Sequence, residues 1–359
     1  MSRPAVAHIR LDAFRHNYRV SKQRHGGKAL AVIKANAYGH GAVQCAQAIA
    51  DEADGFAVAC LEEALQLRQA GIKNPILLLE GFFEATELPE IVANDLWIVV
   101  HAEWQVEILL AAKLQNPLHI WLKMDSGMHR VGLNHTAYQQ AYMRLAGHVN
   151  VANIVLMSHF ANADNLKSSH TQEQIAVFQN AVQSLGAKVV SLSEISLANS
   201  AAILGWPQAH ANWSRPGIML YGADPLFDAK TPLRAVMQLR SQIISIRTIA
   251  KGESIGYGSI FTANKETIVG VVAMGYADGY PRSAINAPAA VDGVLTKVIG
   301  RVSMDMLFVD LTDIASAKIG SNVELWGDQI TANDVAKAAG TIAYELFCNV
   351  KRVQFRYTD

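Results

Sequence analysis

The sequence predicts an α/β protein in which an N-terminal (β/α)8 barrel is followed by a mostly antiparallel β domain. The chain has 359 residues, enough for about two domains that each bury a core. From residue 28 onward, short apolar runs alternate with segments of helical period, which is typical of parallel β/α units. After about residue 232 the helical period gives way to alternating apolar and polar residues, which indicates antiparallel strands. We therefore assign residues 1–232 to the barrel domain and residues 233–359 to the β domain.

The barrel follows from a count of its elements. Apolar runs short enough to be strands cover residues 29–35, 55–60, 75–81, 96–100, 118–124, 153–159, 194–199 and 217–222. Segments of helical period cover residues 41–52, 60–71, 86–95, 102–115, 137–147 and 171–186, and a shorter one follows Asn199. Eight strands and seven intervening helices match a (β/α)8 barrel. A doubly wound open sheet is the structural alternative, but its GxGxxG loop is missing.

The second domain shows a different pattern of apolar and polar residues. Alternating runs cover residues 238–249, 266–275, 294–313 and 321–327, separated by Gly, Asp, Asn and Pro. One late helical stretch, residues 331–350, begins at a plausible cap at Thr331 or Asn333. We found no internal repeat and no low-complexity tract.

Charge and cysteine content exclude several classes of protein. The 31 Lys and Arg residues equal the 31 Asp and Glu residues without a basic run, so the positive footprint of nucleic-acid binding is missing. Charged residues make up only 17% of the chain, which favours surface buried between domains or subunits. Cys45, Cys60 and Cys348 are too few and too far apart for a disulfide framework or a CxxC metal site. We expect a small-molecule partner, no bound metal and a homo-oligomer.

The sequence contains no recognisable membrane signal. Charged residues interrupt the N-terminal segment, and no run reaches the roughly 18 uninterrupted apolar residues of a spanning helix. Together with the cysteine usage, this predicts a cytoplasmic protein without membrane contact.

Candidate site residues follow the predicted strands, because barrel active sites lie at the carboxyl ends of the strands. Lys34 lies near the end of the first predicted strand, within AVIKANAYGHG. A lysine in apolar surroundings is disfavoured in its charged form, which makes the amine available for Schiff-base chemistry. The alternative is a structural lysine whose ammonium reaches solvent at the strand end.

An anion-binding cradle is predicted after the seventh and eighth strands. Ser200 and the backbone N–H groups of Gly217 and Ile218 lie where barrels commonly bind phosphate. The alternative is a capping serine with a turn glycine. Lysine and cradle together favour pyridoxal phosphate (PLP), since this cofactor joins an aldehyde to a phosphate.

Other candidates have ordinary structural readings as well. Arg130 suits a planar carboxylate but is also typical of a solvated loop, and Lys123 lies seven residues before it. His159 follows the sixth strand and either contacts a cofactor ring or is a core histidine. Arg215 lies beside the eighth strand, where an ion pair is the alternative role. Two glycine-containing segments hold Tyr257 and, further on, Tyr276 and Arg282. Taken alone, these three residues are typical of turns.

The motifs together resemble the PLP-dependent, barrel-type alanine racemases over nearly the whole chain. AVIKANAYGHG, LKMDSGMHRVG, MSHFANAD, ANSAA, RPGIMLYG, GYGSIF, VAMGYADGYPR and GRVSMDM occur in the family's order. The resemblance implies that L-alanine and D-alanine are interconverted by a two-base proton transfer at Cα of the PLP-bound substrate. D-Alanine would thereby be supplied as a peptidoglycan precursor or degraded. It also implies a homodimer with shared active sites.

The resemblance assigns a role to each matching residue. Lys34 would hold the cofactor and act as the base for the D-enantiomer, and Tyr257 of the other subunit would act on the L-enantiomer. Arg215 would donate to the pyridine nitrogen, and His159 would contact the ring. The phosphate would be held by Tyr38, Ser200, Gly217, Ile218 and Tyr344. The substrate carboxylate would be held by Arg130 and Met304, Lys123 would be carbamylated, and the entrance would be lined by Asp164, Tyr276, Arg282, Arg301 and Ile342.

One position departs from part of the family, and rival activities remain. Some relatives have His in place of Ser196, which leaves open how Arg215 is oriented here. A barrel-type PLP decarboxylase, or a racemase of broader amino-acid specificity, is the nearest alternative. GYGSIF, with Tyr257 as a second base, argues against the decarboxylase. A non-catalytic PLP carrier would not need residues 233–359, and a Schiff-base aldolase would need neither the cradle nor the β domain.

Overall fold

The barrel is closed by eight parallel strands. The computed structural model describes residues 3–187, 189, 193–226 and 231–359. The first nine strands are β1 (Val6–Arg10), β2 (Lys28–Val32), β3 (Gly55–Val58), β4 (Ile76–Leu78), β5 (Leu96–Val100), β6 (Leu118–Lys123), β7 (Val151–Met157), β8 (Glu194–Asn199) and β9 (Trp213–Arg215). Strands β2 to β9 pair in sequence order, and β9 closes on β2 through the Lys28 and Trp213 pair. The predicted barrel is thus confirmed.

Helices connect the strands and cover the barrel. They are α1 (Leu11–His25), α2 (Ala42–Ile49), α3 (Leu61–Gln69), α4 (Leu88–Ala93), α5 (Glu103–Ala111), α6 (His135–Leu145), α7 (His170–Ser184) and α8 (Ser200–Gly205). Two of them begin at asparagine caps. The side chain of Asn134 accepts the N–H of Ala137 at 3.0 Å, and that of Asn199 accepts the N–H of Ala202 at 3.1 Å. Such caps satisfy N–H groups that have no partner within the helix.

The eighth barrel strand lies earlier than predicted. The prediction placed it at residues 217–222, whereas β9 ends at Arg215 and Ile218–Tyr221 form a 3-10 turn. Pro216 has no N–H to continue the ladder, and Gly217 leaves the extended conformation at φ −119° and ψ −95°. The apolar run that suggested a strand is buried on all sides, and burial alone does not distinguish a strand from a helical turn.

The second domain is built on one eight-stranded sheet. Its elements are β10 (Met237–Ile249), β11 (Ser254–Ile255), β12 (Phe261–Thr262), β13 (Thr267–Val272), β14 (Pro288–Val291), β15 (Val294–Ile299), β16 (Leu307–Asp310), β17 (Asn322–Trp326), α9 (Ala332–Ala339), α10 (Ala343–Asn349) and β18 (Gln354–Thr358). The sheet order is β13-β16-β15-β14-β17-β10-β1-β18, and β11 and β12 pair separately. Its strand pairs among the described residues are antiparallel except β1 with β18. This confirms a mostly antiparallel β domain.

The N-terminal strand crosses from one domain to the other. Strand β1 pairs with β10 and β18, so residues 6–10 lie in the second sheet although they fall within the range assigned to the barrel domain. Helix α1 then returns to the barrel, where Asn17 donates to the carbonyl oxygen of Leu220 at 3.0 Å. The chain therefore joins the two domains twice.

An aromatic cluster fills the N-terminal end of the barrel. The rings of Trp121 and Trp213 lie 5.6 Å apart, and Trp97 packs against Trp213 at 5.8 Å. Glu194 accepts both the indole N–H of Trp213 and the ammonium of Lys28 at 2.9 Å.

None of the helices in the described ranges is long and apolar enough to cross a membrane.

Candidate active site

A cavity of about 750 Å³ lies at the carboxyl ends of the barrel strands. Its lining brings together ten of the predicted site residues: Lys34, Tyr38, Lys123, Arg130, His159, Ser200, Arg215, Gly217, Ile218 and Tyr344. Each residue from the barrel lies at or just after the end of a strand, because parallel strands deliver their carboxyl ends to one rim. Tyr344 reaches the cavity from α10 of the second domain.

Lys34 begins a left-handed turn rather than ending a strand. Strand β2 stops at Val32, and residues 35–38 all have positive φ, between 49° and 53°. None of the four is glycine, and the left-handed helical conformation costs about 1–2 kcal/mol for each such residue. We call residues 34–39 the anchor turn. It places Lys34 and Tyr38 on the same cavity wall.

The anchor turn is held by three side chains. Glu63 accepts the N–H of Ala35 at 2.6 Å and, with its other oxygen, that of Ala59 at 2.8 Å. Asn36 accepts the N–H of Ala42 at 2.9 Å. His40 Nδ1 lies 2.9 Å from the carbonyl oxygen of Tyr38. These bonds offset the backbone strain, which persists only where the surroundings impose it.

Ser200 contacts the residues after β9, where the cradle is predicted. The hydroxyl oxygen of Ser200 accepts the N–H of Gly217 at 2.8 Å and that of Met219 at 3.3 Å. A Cβ on Gly217 would lie 2.8 Å from the hydroxyl of Tyr38, which is closer than side chains tolerate. Glycine is therefore required for the cradle and Tyr38 to approach each other.

Arg215 is buried and fixed by several acceptors. Its Nη2 donates to the carbonyl oxygens of Ser158 at 2.7 Å and Leu197 at 3.3 Å, and its Nη1 donates to that of Ser196 at 3.0 Å. The hydroxyl of Ser196 also accepts from Nη1. Ser196 thus helps orient the arginine at the position where part of the family has His. Burial lowers the pKa of Arg215 to about 10, which leaves it charged at neutral pH.

His159, which contacts Arg215, is uncharged at neutral pH. The Nη2 of Arg215 lies 3.3 Å from Nδ1 of His159. Burial and the charge of Arg215 hold the pKa of His159 well below its usual range. The Nδ1 lone pair of a neutral imidazole can therefore accept from the guanidinium.

Positive charge is concentrated in the cavity. Lys34, Lys123, Arg130 and Arg215 line it, together with one carboxylate, that of Glu80. Burial, followed by repulsion from Arg215, Arg130 and Lys34, lowers the pKa of Lys123 to about 7. A substantial fraction of this amine is therefore neutral at physiological pH. The cavity as a whole favours an anionic ligand.

Two tyrosines, Tyr38 and Tyr344, line the cavity. The rings of Tyr38 and Tyr344 lie 5.8 Å apart, and Tyr38 also packs against Tyr221 at 4.7 Å. Burial raises the pKa of Tyr38, and burial followed by the charge of Asp164 raises that of Tyr344 to about 12. Both phenols keep their protons and can donate to an anion.

Seven predicted residues do not line the cavity of this single chain. Tyr257 lies in a 3-10 turn between β11 and β12 with 68% of its surface exposed, and Met304 is 53% exposed. Arg282 and Arg301 line a separate surface cavity of about 420 Å³. The remaining three, exposed at the surface, are Asp164, Tyr276 and Ile342. One protomer therefore contributes only one of the two predicted bases to this cavity.

Sequence reasoning missed several lining residues. Glu80 and His101 line the cavity just after β4 and β5, where the strand-end rule that selected Lys34 also applies. Cys348 lies one helical turn after Tyr344 and lines the same wall. The spacing of these two residues on a helix was the available signal.

The residues present fit PLP. The cavity offers a lysine, a cradle that a Cβ on Gly217 would obstruct, two phenol donors beside it and a buried arginine. An aldehyde, a phosphate and an aromatic nitrogen are the groups that these side chains can engage. The described residues hold no cluster of three or more His, Cys, Asp or Glu side chains suited to a metal ion.

Two protein-family models match successive parts of the chain. Residues 9–225 match the family model "Alanine racemase, N-terminal domain", and residues 236–357 match "Alanine racemase, C-terminal domain". A catabolic alanine racemase of Pseudomonas putida is 57% identical over 99% of both chains.

Solved structures agree in fold over nearly the full length. The biosynthetic alanine racemase of Pseudomonas aeruginosa superposes with a TM-score of 0.95 at 46% identity, covering 99% of this chain and 100% of its own. The alanine racemase of Bartonella henselae, solved with covalently bound pyridoxal phosphate, has a TM-score of 0.89 at 31% identity over 99% of both chains.

Proposed function

The chain belongs to the alanine racemase family of PLP-dependent isomerases, and we propose that it interconverts L-alanine and D-alanine in the barrel cavity. The observation that carries the proposal is the meeting of Lys34, Arg215 and the Ser200 and Gly217 cradle in one cationic cavity. Racemisation removes a proton from one face of Cα and returns one to the other, so it needs a base on each face.

Lys34 is proposed as the cofactor anchor and the base for D-alanine. Held there, PLP would supply an electron sink for the substrate, which would acidify the Cα–H bond. The Lys34 amine then takes or returns the proton on its own side of Cα. The anchor turn fixes that side, because it holds Lys34 on the cavity wall next to Tyr38.

Five residues are proposed to hold the phosphate and two to hold the ring. Around the phosphate we place Tyr38, Ser200, Gly217, Ile218 and Tyr344, all of which line the cavity. Arg215 is proposed to donate to the ring nitrogen and His159 to contact the ring face. An arginine keeps its own proton, so the ring nitrogen stays unprotonated and the ring withdraws electrons less strongly. Weak withdrawal favours prompt return of the proton over side reactions such as transamination.

The substrate carboxylate is proposed to contact Arg130 and Met304. Lys123 is proposed to carry a carbamate, since the neutral amine adds to CO2, forming an N–C bond and releasing one proton to solvent. The carbamate would turn a cation beside Arg130 into an anion that positions the guanidinium. The entrance is proposed to be formed by Asp164, Tyr276, Arg282, Arg301 and Ile342.

The second base is proposed to come from another subunit. Tyr257 is largely exposed and does not line the cavity of its own chain. A homodimer with shared sites, in which residues 233–359 bring Tyr257 to the partner's barrel, would supply the opposite face of Cα. Tyrosine with an ordinary pKa of about 10 is a weak base at neutral pH, so the partner's cationic cavity must assist it.

Hybrid dimers test the shared site. Lys34→Ala and Tyr257→Phe should each abolish racemisation, and a mixture unfolded and refolded together should regain roughly a quarter of wild-type activity. Mixing without subunit exchange is the control. No recovery in the refolded mixture, with dimers present by light scattering, would contradict a base supplied in trans.

Proton exchange tests the division between the two faces. In D2O, Tyr257→Phe should still exchange the Cα proton of D-alanine, as NMR would show, without forming L-alanine. Exchange into L-alanine alone would reverse the assignment of the two bases.

A racemase of broader amino-acid specificity and a decarboxylase are the alternative functions. Formation of D-serine from L-serine would identify the broader racemase. Release of CO2 in place of racemisation would identify the decarboxylase.

The cellular setting is a further part of the proposal. We propose a cytoplasmic enzyme, since its cysteines Cys45, Cys60 and Cys348 are all free. D-Alanine would be supplied to peptidoglycan or degraded for growth. A deletion strain that requires D-alanine supports supply, and one that only fails to grow on D-alanine as nutrient supports degradation.

We also propose that the chain divides into domains at residues 1–232 and 233–359, with strand β1 contributed to the sheet of the second domain.

A further inference from the structure

His40 is a buried histidine that none of the roles above uses. It follows the anchor turn directly and has no exposed surface. Its ring lies 4.6 Å from that of Tyr221, tilted by 33°, and meets Phe347 edge-on at 4.9 Å. The packing fixes the ring between the barrel and helix α10.

The contacts of His40 determine its tautomer. Its Nδ1 lies 2.9 Å from the carbonyl oxygen of Tyr38 and 3.1 Å from that of Ala37. Carbonyl oxygens only accept hydrogen bonds, so Nδ1 must carry the proton. Burial lowers the pKa of His40 to about 4, which makes the ring neutral and leaves Nε2 without a proton. Within the described part of the chain, Nε2 has no hydrogen-bond partner.

The single N–H of the ring is therefore shared between the carbonyl oxygens of two residues of the anchor turn. Both of these residues have φ between 49° and 53°, and both carbonyl groups point to the same donor. The strain of the turn has to be balanced by such contacts. Tyr38 supplies a phosphate-side hydroxyl, and Lys34 begins the same turn.

We propose that His40 is a positioning residue whose Nδ1–H holds the anchor turn in its left-handed form, and so sets the places of Lys34 and the Tyr38 hydroxyl. The inference rests on the proposed roles of Lys34 and Tyr38. It does not depend on which amino acid is the substrate, because cofactor binding alone reports it.

Two variants separate the donor from the ring. In His40→Asn the amide nitrogen is as many bonds from Cα as Nδ1 is, so the donor is retained while most of the ring is lost. In His40→Phe the ring and its stacking are retained while the donor is lost. Positioning by the hydrogen bond predicts that Phe is the more damaging substitution, whereas a packing role predicts that Asn is.

The measurement is equilibrium binding of PLP to the apoenzyme, with the circular dichroism of the bound cofactor. We expect His40→Phe to raise the Kd for PLP about 10- to 100-fold and to weaken the cofactor dichroism, while His40→Asn stays within about threefold of wild type. In the loaded enzyme kcat should fall more than KM changes. Unchanged binding by His40→Phe, or a greater loss in His40→Asn, overturns the proposal.

A second measurement uses the wild-type chain and needs no folded variant. The nitrogen chemical shifts of histidine distinguish the two neutral tautomers, and the His40 signal is identified among 12 histidines by its contact with Tyr221. A neutral ring with the proton on Nδ1 from pH 5 to pH 9 is the expected result. A proton on Nε2, or a charged ring, overturns the assignment. If PLP binding behaves as expected but alanine is not racemised, the proposed function fails and the positioning role stands.

Discussion

A methyl group at position 217 should weaken cofactor binding by displacing the Tyr38 hydroxyl. In Gly217→Ala the new Cβ would lie 2.8 Å from that hydroxyl, against ordinary contact of 3.4 Å or more. The hydroxyl must therefore move by about half an ångström. It cannot move freely, because the Tyr38 ring is packed against Tyr221 at 4.7 Å and Tyr344 at 5.8 Å.

The magnitude follows from the bond that is lost. A hydrogen bond to a charged group contributes about 1.5–3 kcal/mol, so the Kd for PLP should rise roughly 10- to 150-fold. The backbone at Gly217, with φ −119° and ψ −95°, is also unfavourable for alanine, which adds strain. This second effect has to be separated from the clash.

A double-mutant cycle separates them. Tyr38→Phe removes the hydroxyl, and the next ring atom, Cζ, would lie 3.6 Å from the new Cβ, an ordinary contact. Gly217→Ala should therefore cost far less in the Tyr38→Phe background than in wild type, when PLP affinity is measured by titration of the apoenzyme. An equal loss in both backgrounds would show that backbone strain is responsible and would refute the steric argument.

Three further predictions concern stability and modification. The pKa of His25 and His40 is lowered to about 4 by burial, so between pH 6.5 and pH 4 the unfolded chain binds more protons. As the pH is lowered through this range, the unfolding free energy from urea titration should fall by up to about 1.4 kcal/mol per pH unit for each histidine; a flat profile down to pH 4 contradicts this. Intact mass of the native protein at bicarbonate saturation should show one added CO2, absent in Lys123→Ala, and an unmodified mass counts against the carbamate. Thr331→Ala removes the cap that accepts the N–H of Asp334 at 3.1 Å, so it should cost about 1 kcal/mol of unfolding free energy without changing the Kd for PLP; no loss would mean that the cap is dispensable.

The barrel was predictable because most of its strands are short apolar runs, several of which are followed by a polar residue. That rule located Lys34, Lys123 and His159, and it extends to Glu80 and His101. It failed at residues 217–222, where an equally apolar run is buried as a 3-10 turn after Pro216. An apolar run predicts that a segment is buried. It does not predict whether the buried segment is a strand or a 3-10 turn, which depends on the backbone conformation.

Other features depend on contacts between distant parts of the chain. The left-handed anchor turn contains alanine, asparagine and tyrosine, so no glycine signals it, and its supports include Glu63 from a different β/α unit. Strand β1 pairs with β10 and β18, more than 200 residues away, which local periodicity does not report. The orientation of Arg215 by Ser196 likewise required the register between β8 and β9.

Lys34 is proposed both to anchor PLP and to carry a proton at Cα. A single experiment tests both roles by combining the visible absorption of the purified protein with circular-dichroism detection of L-alanine conversion, for wild type and Lys34→Ala. We expect wild type to be yellow and to racemise alanine, and Lys34→Ala to do neither. A Lys34→Ala protein that keeps its cofactor and racemises alanine would show that Lys34 has neither role.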